Sequence, residues 1–312
     1  MSSIALGLAA ARSEPIARGA IDRRLLSDVP VLFLALPIAL TLAAASPTAA
    51  FHPAEARPGD PVVLEVRGLR EQPRGELAGR PLEFHARRPG TWRAVAGLPL
   101  EQLPGPIDVE LRTGPVRVAP EESEPVVTAR LEVVEPGFRE TRLAVPPRYV
   151  EPRPPEVEAR VAEDRAAFLA AYEQPPTPPL FRRPFQAPRK SAITGRFGDL
   201  RTFNGETQGQ HYGVDFKGRV GEPVLAANDG RVTLVRDAWA SGLSVVVFHG
   251  SGVHSAYFHL SRALVREGDT VRRGQRIGRV GATGRSSGPH LHWGMRIGDL
   301  YVDPEALLRL KL

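Results

Sequence analysis

"SSGPHLHWGM", Ser286–Met295, carries two histidines one residue apart, between a Gly-Pro turn and a Trp-Gly pair. In an extended strand, residues i and i+2 point to the same face, about 7 Å apart along the chain, so His290 and His292 look into one space. Two imidazoles so placed are either ordinary half-buried side chains with hydrogen-bonded nitrogens or two parts of a site. The rest of the chain decides between them. Six of the eight histidines, His211, His249, His254, His259, His290 and His292, follow Ser191.

The strand reading extends outward from that pair. "EPVLAAN" (222–228), "GRVTLVRD" (230–237), "LSVVVFHG" (243–250), "GVHSAYFHL" (252–260) and "GQRIGRVG" (274–281) are short β-prone runs separated by tight turns such as Asn228-Asp229-Gly230. Residues 191–312 are therefore expected to form an antiparallel all-β domain with functional residues near its loops or on one open face. Upstream, residues 151–190 change character. Proline clusters bracket one helical stretch, Glu156–Gln174, with Val157, Val161, Phe168 and Tyr172 at helical spacing. This is a Pro-rich linker carrying a helix, either packed on a domain surface or covering the domain that follows. Residues 51–150 alternate on a period of two, in "PVVLEVRG" (61–68), "IDVELRTG" (107–114) and "VVTARLEVVE" (126–135), which suggests an Ig-like β-sandwich. It offers no catalytic constellation, and its His52 and His85 read as surface or packing residues. The overall expectation is a mainly β chain.

Residues 1–50 read as a leader. Arg18, Arg23 and Arg24 precede the apolar run Val29–Ala45, and small residues follow to Ala50, which is the order of an export signal. At about 17 residues the run also reaches the lower limit for an uncleaved membrane anchor. Arg23-Arg24 faintly resembles a twin-arginine signal. The expected location is the periplasm or cell envelope. The 312-residue chain has 42% hydrophobic residues and a formal net charge of +6, with a pI near 10.1. That suits an anionic neighbourhood, but no nucleic-acid motif accompanies it. With no cysteine, disulfides and thiolate metal sites are excluded.

The first of the six clustered histidines lies in "GQHYGVDFKG". His211 and Asp215 would be about 13 Å apart in a straight strand, too far to share one ion, so a common metal requires a bend, which Gly213 permits. Two histidines and one aspartate make a donor set suited to zinc with its fourth position open, the pattern of a catalytic site. His254 differs in strand parity from His259 and would face away in a regular strand, and His249 ends its strand; both read as structural.

"HYGVDF", "YFHLS" and "GPHLHW", in this order and with "GEPVLAANDGRV" and "VREGDTVRRGQRIGRVGATGRSSG" between them, resemble the M23 (lysostaphin/LytM-type) zinc metallopeptidases from about Ser191 to Leu307. The resemblance implies that His211, Asp215 and His292 bind Zn2+ and that His259 and His290 form the catalytic pair; Arg201 and Asn204, in "FGDLRTFNG", fall where the family has a related FG-x-R stretch and are candidates either for lining the cleft or for a plain loop role. It also implies peptidoglycan stem peptides or cross-bridges as substrate, and an envelope protein partner is a further option for the N-terminal domain. There is no H-E-x-x-H glutamate, so an imidazole must move the proton. The adopted assignment has His259 take the proton while His290 stabilises the oxyanion; the sequence does not separate it from the reverse. One alternative is a catalytically silent LytM-type module that binds and activates another wall hydrolase, against which stand all five site residues. Another arises because "VREGDTVRRGQRIG" also resembles biotinyl and lipoyl carriers, but Lys190, Lys217 and Lys311 are not in a carrier setting.

Overall fold

The computed structural model describes residues 46–114, 127–143, 154–203, 205 and 207–312. The expected leader and apolar run up to Ala45, and also Val126 and Asn204, lie outside the described residues.

Apolar alternation builds two facing sheets in the N-terminal part. One has the strand order Thr48–His52, Pro61–Arg67, Thr91–Gly97, Phe84–Arg88; the other has Glu55–Ala56, Val127–Val133, Gly105–Leu111. Phe51, Leu64, Phe84, Val109, Leu111 and Leu131 meet between them and are almost wholly buried, giving a β-sandwich. Four of these seven strands, Thr48–His52, Glu55–Ala56, Phe84–Arg88 and Thr91–Gly97, were not expected from the sequence. Arginines on the solvent side of Phe84–Arg88 and Thr91–Gly97 mask the alternation. The small residues around Ala50, read as a cleavage zone, pair with Pro61–Arg67 instead.

The helix forms over Pro155–Tyr172, with proline in its first turn beside Glu156 and Glu158, where backbone N–H groups lack partners and negative charge is favoured. Val157 and Val161 stay half-exposed. The helix is held by its other end and by Asp164, which is buried and accepts from Arg236 Nε at 2.5 Å and from the Trp239 amide at 2.7 Å. Phe168 packs edge-on against Phe258, and Tyr172 against His254. Beyond it, the proline-rich stretch is not loose. The Leu180 amide bonds the His249 carbonyl, the Ser251 amide bonds the Thr177 carbonyl, and Phe181 and Phe185 enter the core of the following domain.

That domain is one large sheet. Its main path runs Ile193–Gly195, Val214–Lys217, His290–Ile297, Val253–Ala263, Gly242–Phe248, Gly230–Ala238, Thr270–Val271. Arg276–Val280 pairs with Pro223–Leu225 and with the far end of Val253–Ala263. One face buries Val245, Val247, Tyr257, Leu291, Trp293 and Met295 in the main core. The other carries Val246, Ala256 and Phe258 under the helix. Val253–Ala263 is the central strand, and it changes partners along its length: up to Phe258 it pairs with His290–Ile297, and from Leu260 with Arg276–Val280. The crossover point becomes the floor of a cleft.

Candidate metal centre and active site

Strand alternation in His290–Ile297 sends Leu291, Trp293 and Met295 into the core and leaves His290 and His292 on the opposite face, half-buried. Asp215 sits directly across the ladder from His292. His211 reaches them because the chain breaks its strand after Gln210 and resumes at Val214. The glycine in that break is demanded by space more than by backbone freedom. A Cβ on Gly213 would lie 2.6 Å from His292 Nε2 and 2.7 Å from the Trp293 carbonyl.

Three donor atoms converge there. His211 Nε2 lies 3.1 Å from Asp215 Oδ1 and 3.0 Å from His292 Nδ1, which is itself 2.9 Å from Asp215 Oδ1. His211 Nδ1 is 2.6 Å from the Arg196 carbonyl and must donate to it, so Nε2 turns a lone pair inward. With a carboxylate oxygen as the second corner, the triangle holds one proton at most, on His292. Three acceptors facing each other in a buried pocket are what a cation satisfies. Ligand bonds of about 2.0–2.2 Å in a tetrahedral array need donor separations of about 3.3 Å, a few tenths more than these, so the residues fit zinc. Burial alone would raise the Asp215 pKa, but the adjoining imidazoles of His211 and His292 outweigh it and hold the carboxyl far below the usual range. Its other oxygen accepts from Arg201 Nη2 at 2.7 Å.

His259 and His290 stand beside this cluster, their ring centres 4.7 Å apart. His259 Nδ1 donates to the Thr283 carbonyl at 2.8 Å, and His290 Nδ1 to the Gly288 carbonyl at 2.8 Å. Each therefore turns Nε2 toward the cleft, and that of His290 is 3.8 Å from Asp215 Oδ1. Burial, then the neighbouring His290 and His292, lower the His259 pKa to about 3.

His259 faces the cleft through a local irregularity. Val245 pairs with Tyr257 and Leu243 with Leu260, so Ser244 alone opposes both Phe258 and His259. This is a β-bulge, and His259 adopts φ = 60°, a left-handed conformation costly for a side-chain-bearing residue. Alternation would otherwise point His259 into the core beside Tyr257. His254 does lie away from the cleft, against Tyr172 and Phe248. It nevertheless shares its face with Phe258, so the bulge rather than parity separates it from His259. His249 is sealed between the Asp229 carbonyl and Ser255 Oγ, each at 2.7 Å.

A cleft of about 760 Å³ encloses the five residues, with Arg201, Tyr212, Tyr301 and the Ser286–Pro289 loop on its walls. No sequence pattern singles out Thr283, whose hydroxyl accepts from the Leu243 amide and donates to the Leu260 carbonyl, each at 2.9 Å, while its carbonyl orients His259. The only signal available was a threonine inside a glycine-flanked turn.

Residues 209–304 match the family described as Peptidase family M23. Over 119 residues the chain is 38% identical to the peptidoglycan DD-endopeptidase ShyB of Vibrio cholerae, a stretch that covers 38% of this chain and 25% of that protein. Over 83 residues it is 47% identical to ShyA of the same organism, covering 27% of this chain and 19% of that one. The chain thus spans about a quarter or less of the length of these curated relatives. A crystal structure of a Pseudomonas aeruginosa protein assigned to peptidase M23 superposes with a TM-score of 0.60 at 30% identity, over 80% of this chain and 94% of that one. That likeness reaches well upstream of the matched segment and, with the motifs and their convergence in one cleft, makes this chain a member of peptidase family M23.

Proposed function

We propose that the chain is a zinc-dependent endopeptidase that hydrolyses peptide cross-links of peptidoglycan in the cell envelope. The observation that carries this reading is the meeting of three mutually facing acceptor atoms, on His211, Asp215 and His292, with a separate imidazole pair whose Nε2 atoms face the same cleft. Zinc held by that triad would polarise a scissile carbonyl and bring the pKa of water at its open position toward neutrality. His259 supplies the proton acceptor: its Nδ1 proton is committed to Thr283, and burial keeps the ring neutral, so Nε2 offers a lone pair. His259 then returns that proton to the leaving amine. His290, fixed by the Gly288 carbonyl, turns Nε2 into the same cleft and stabilises the developing oxyanion. Similarity to DD-endopeptidases supports peptidoglycan as the substrate class. The basic segment and apolar run before Ala45 support export, with that run acting as a cleaved leader or an anchor.

The test is zinc content together with peptide release from purified peptidoglycan. His211→Ala is expected to lose both; His290→Ala should keep the metal and lose cleavage. A wild-type chain that binds zinc yet releases no peptide would favour the silent, hydrolase-activating module instead.

A further inference from the structure

Arg201 and the strand that braces it lie upstream of the family-matched segment, yet they reach the candidate metal centre. The Arg201 guanidinium donates to Asp215 Oδ2 at 2.7 Å while Asp215 Oδ1 faces His211 and His292. Both side chains of the pair are largely withdrawn from solvent, 19% and 12% exposed. Room for the guanidinium comes from Gly195, which pairs with Asp215 across the sheet. A Cβ there would lie 2.4 Å from Arg201 Nη2 and 2.6 Å from Asp215 Oδ2. Arg201 itself sits in Leu200–Phe203, which pairs antiparallel with Thr207–Gln210 on one side. On its other side is Glu140–Leu143, a strand that leaves the N-terminal sandwich and lies parallel, Thr141 opposite Arg201. The Leu200 amide bonds the Arg139 carbonyl at 2.8 Å, so the alternation of a parallel ladder directs the Thr141 N–H to the Leu200 carbonyl.

We infer that Arg201 is a positioning residue for the metal ligand Asp215, and that Glu140–Leu143 holds Arg201 in place, so part of the metal site's rigidity is supplied from outside the peptidase segment. The inference rests on the zinc reading of the site. A guanidinium on Oδ2 leaves only Oδ1 for the metal and offsets charge that burial would otherwise penalise.

Zinc affinity of the full chain, measured by competition with a chelator, tests this without reference to peptidase activity. Removal of such an outer hydrogen bond weakens metal binding by about 10- to 100-fold, the range expected for Arg201→Ala. Arg201→Lys, a point charge without the planar fork, should weaken it less. Gly195→Ala, which wedges the pair apart, and Thr141→Pro, which deletes the ladder donor, should weaken it in the same direction, while Thr141→Val should not. Far-UV circular dichroism and metal-free thermal unfolding report folding, and Arg201→Lys decides the matter if Arg201→Ala does not fold. Wild-type affinity in Arg201→Ala or Arg201→Lys overturns the positioning role. Equal affinity in Thr141→Pro and Thr141→Val overturns the brace. A wild-type chain that takes up no zinc overturns the proposed function and this inference together, whereas loss confined to the variants leaves both standing.

Discussion

The two β regions of this chain are built from similar runs of alternating residues and differ in how faithfully they keep register. In the sandwich, Pro61–Arg67 pairs with Thr91–Gly97, and Gly105–Leu111 with Val127–Val133, seven partners each without a shift, and the slip between Ala86 and Arg88 falls on the edge strand Phe84–Arg88. In the peptidase sheet, Gly230–Ala238 with Gly242–Phe248, Gly242–Phe248 with Val253–Ala263, and Val253–Ala263 with Arg276–Val280 all slip at one point. The last two slips lie close together on the central strand, one at Phe258 and His259 and the other at Ser261. Unbroken pairing gives a scaffold, and interruptions aim side chains where alternation would not.

If the bulge exists to present His259, the largest effect should come from that side chain. His259→Ala is expected to lower cleavage by about 100- to 10,000-fold with zinc content unchanged, the scale of losing a general base. Retained cleavage would mean that the irregularity presents nothing catalytic. Next, a cavity in the regular region should cost stability and leave the site intact. Leu131→Ala is expected to destabilise by about 2–5 kcal/mol in denaturant melts, with zinc affinity unchanged; a parallel loss of zinc would show that the two regions are not separable in this way. Asp164→Ala probes the helix that backs the bulged strand. It strips Arg236 and the Trp239 amide of their acceptor and should cost about 1–3 kcal/mol. The same unfolding measurement would show no change if the helix merely rests on the sheet.

The smallest effect concerns the histidines kept out of the cleft. Burial lowers the pKa of His249 to about 4 and of His254 to about 3, against 6.5 in the unfolded chain. Between those values the unfolded state binds more protons, so their contribution is intact above pH 6.5 and is lost as the pH falls toward 4. His254→Phe, beside Phe248 and Tyr172, should therefore lose less thermal stability than wild type between pH 7 and pH 5. Parallel curves would sink the idea.

Much of the candidate site was legible because the residues that converge in the cleft lie in short motifs. His211, Asp215, His259, His290 and His292 could be named from spacing and resemblance, and the shared face of His290 and His292 followed from strand period. Less legible were features that depend on chain crossings. Thr283 acts through a backbone carbonyl, which no side-chain pattern betrays. Arg201 could be suspected of lining the cleft, but its bond to Asp215 depends on a missing Cβ at Gly195 on another strand. In the sandwich, Thr48–His52 was hidden because small residues serve equally in a cleavage zone and in a strand. The helix placement was read nearly to the residue, yet its anchoring by a buried aspartate runs against the apolar spacing that revealed it.

The proline-rich stretch after the helix sets where this protein can be cut. Its Phe181 and Phe185 are core residues of the peptidase sheet, and Gly250 lies so close to the Pro178 carbonyl that a Cβ there would be 2.2 Å away. A fragment trimmed at Ser191 would leave an open apolar slot, whereas one trimmed ahead of the helix keeps it filled. A cut that leaves a durable peptidase-family domain must therefore spare these residues, and limited digestion should stall upstream of Phe181.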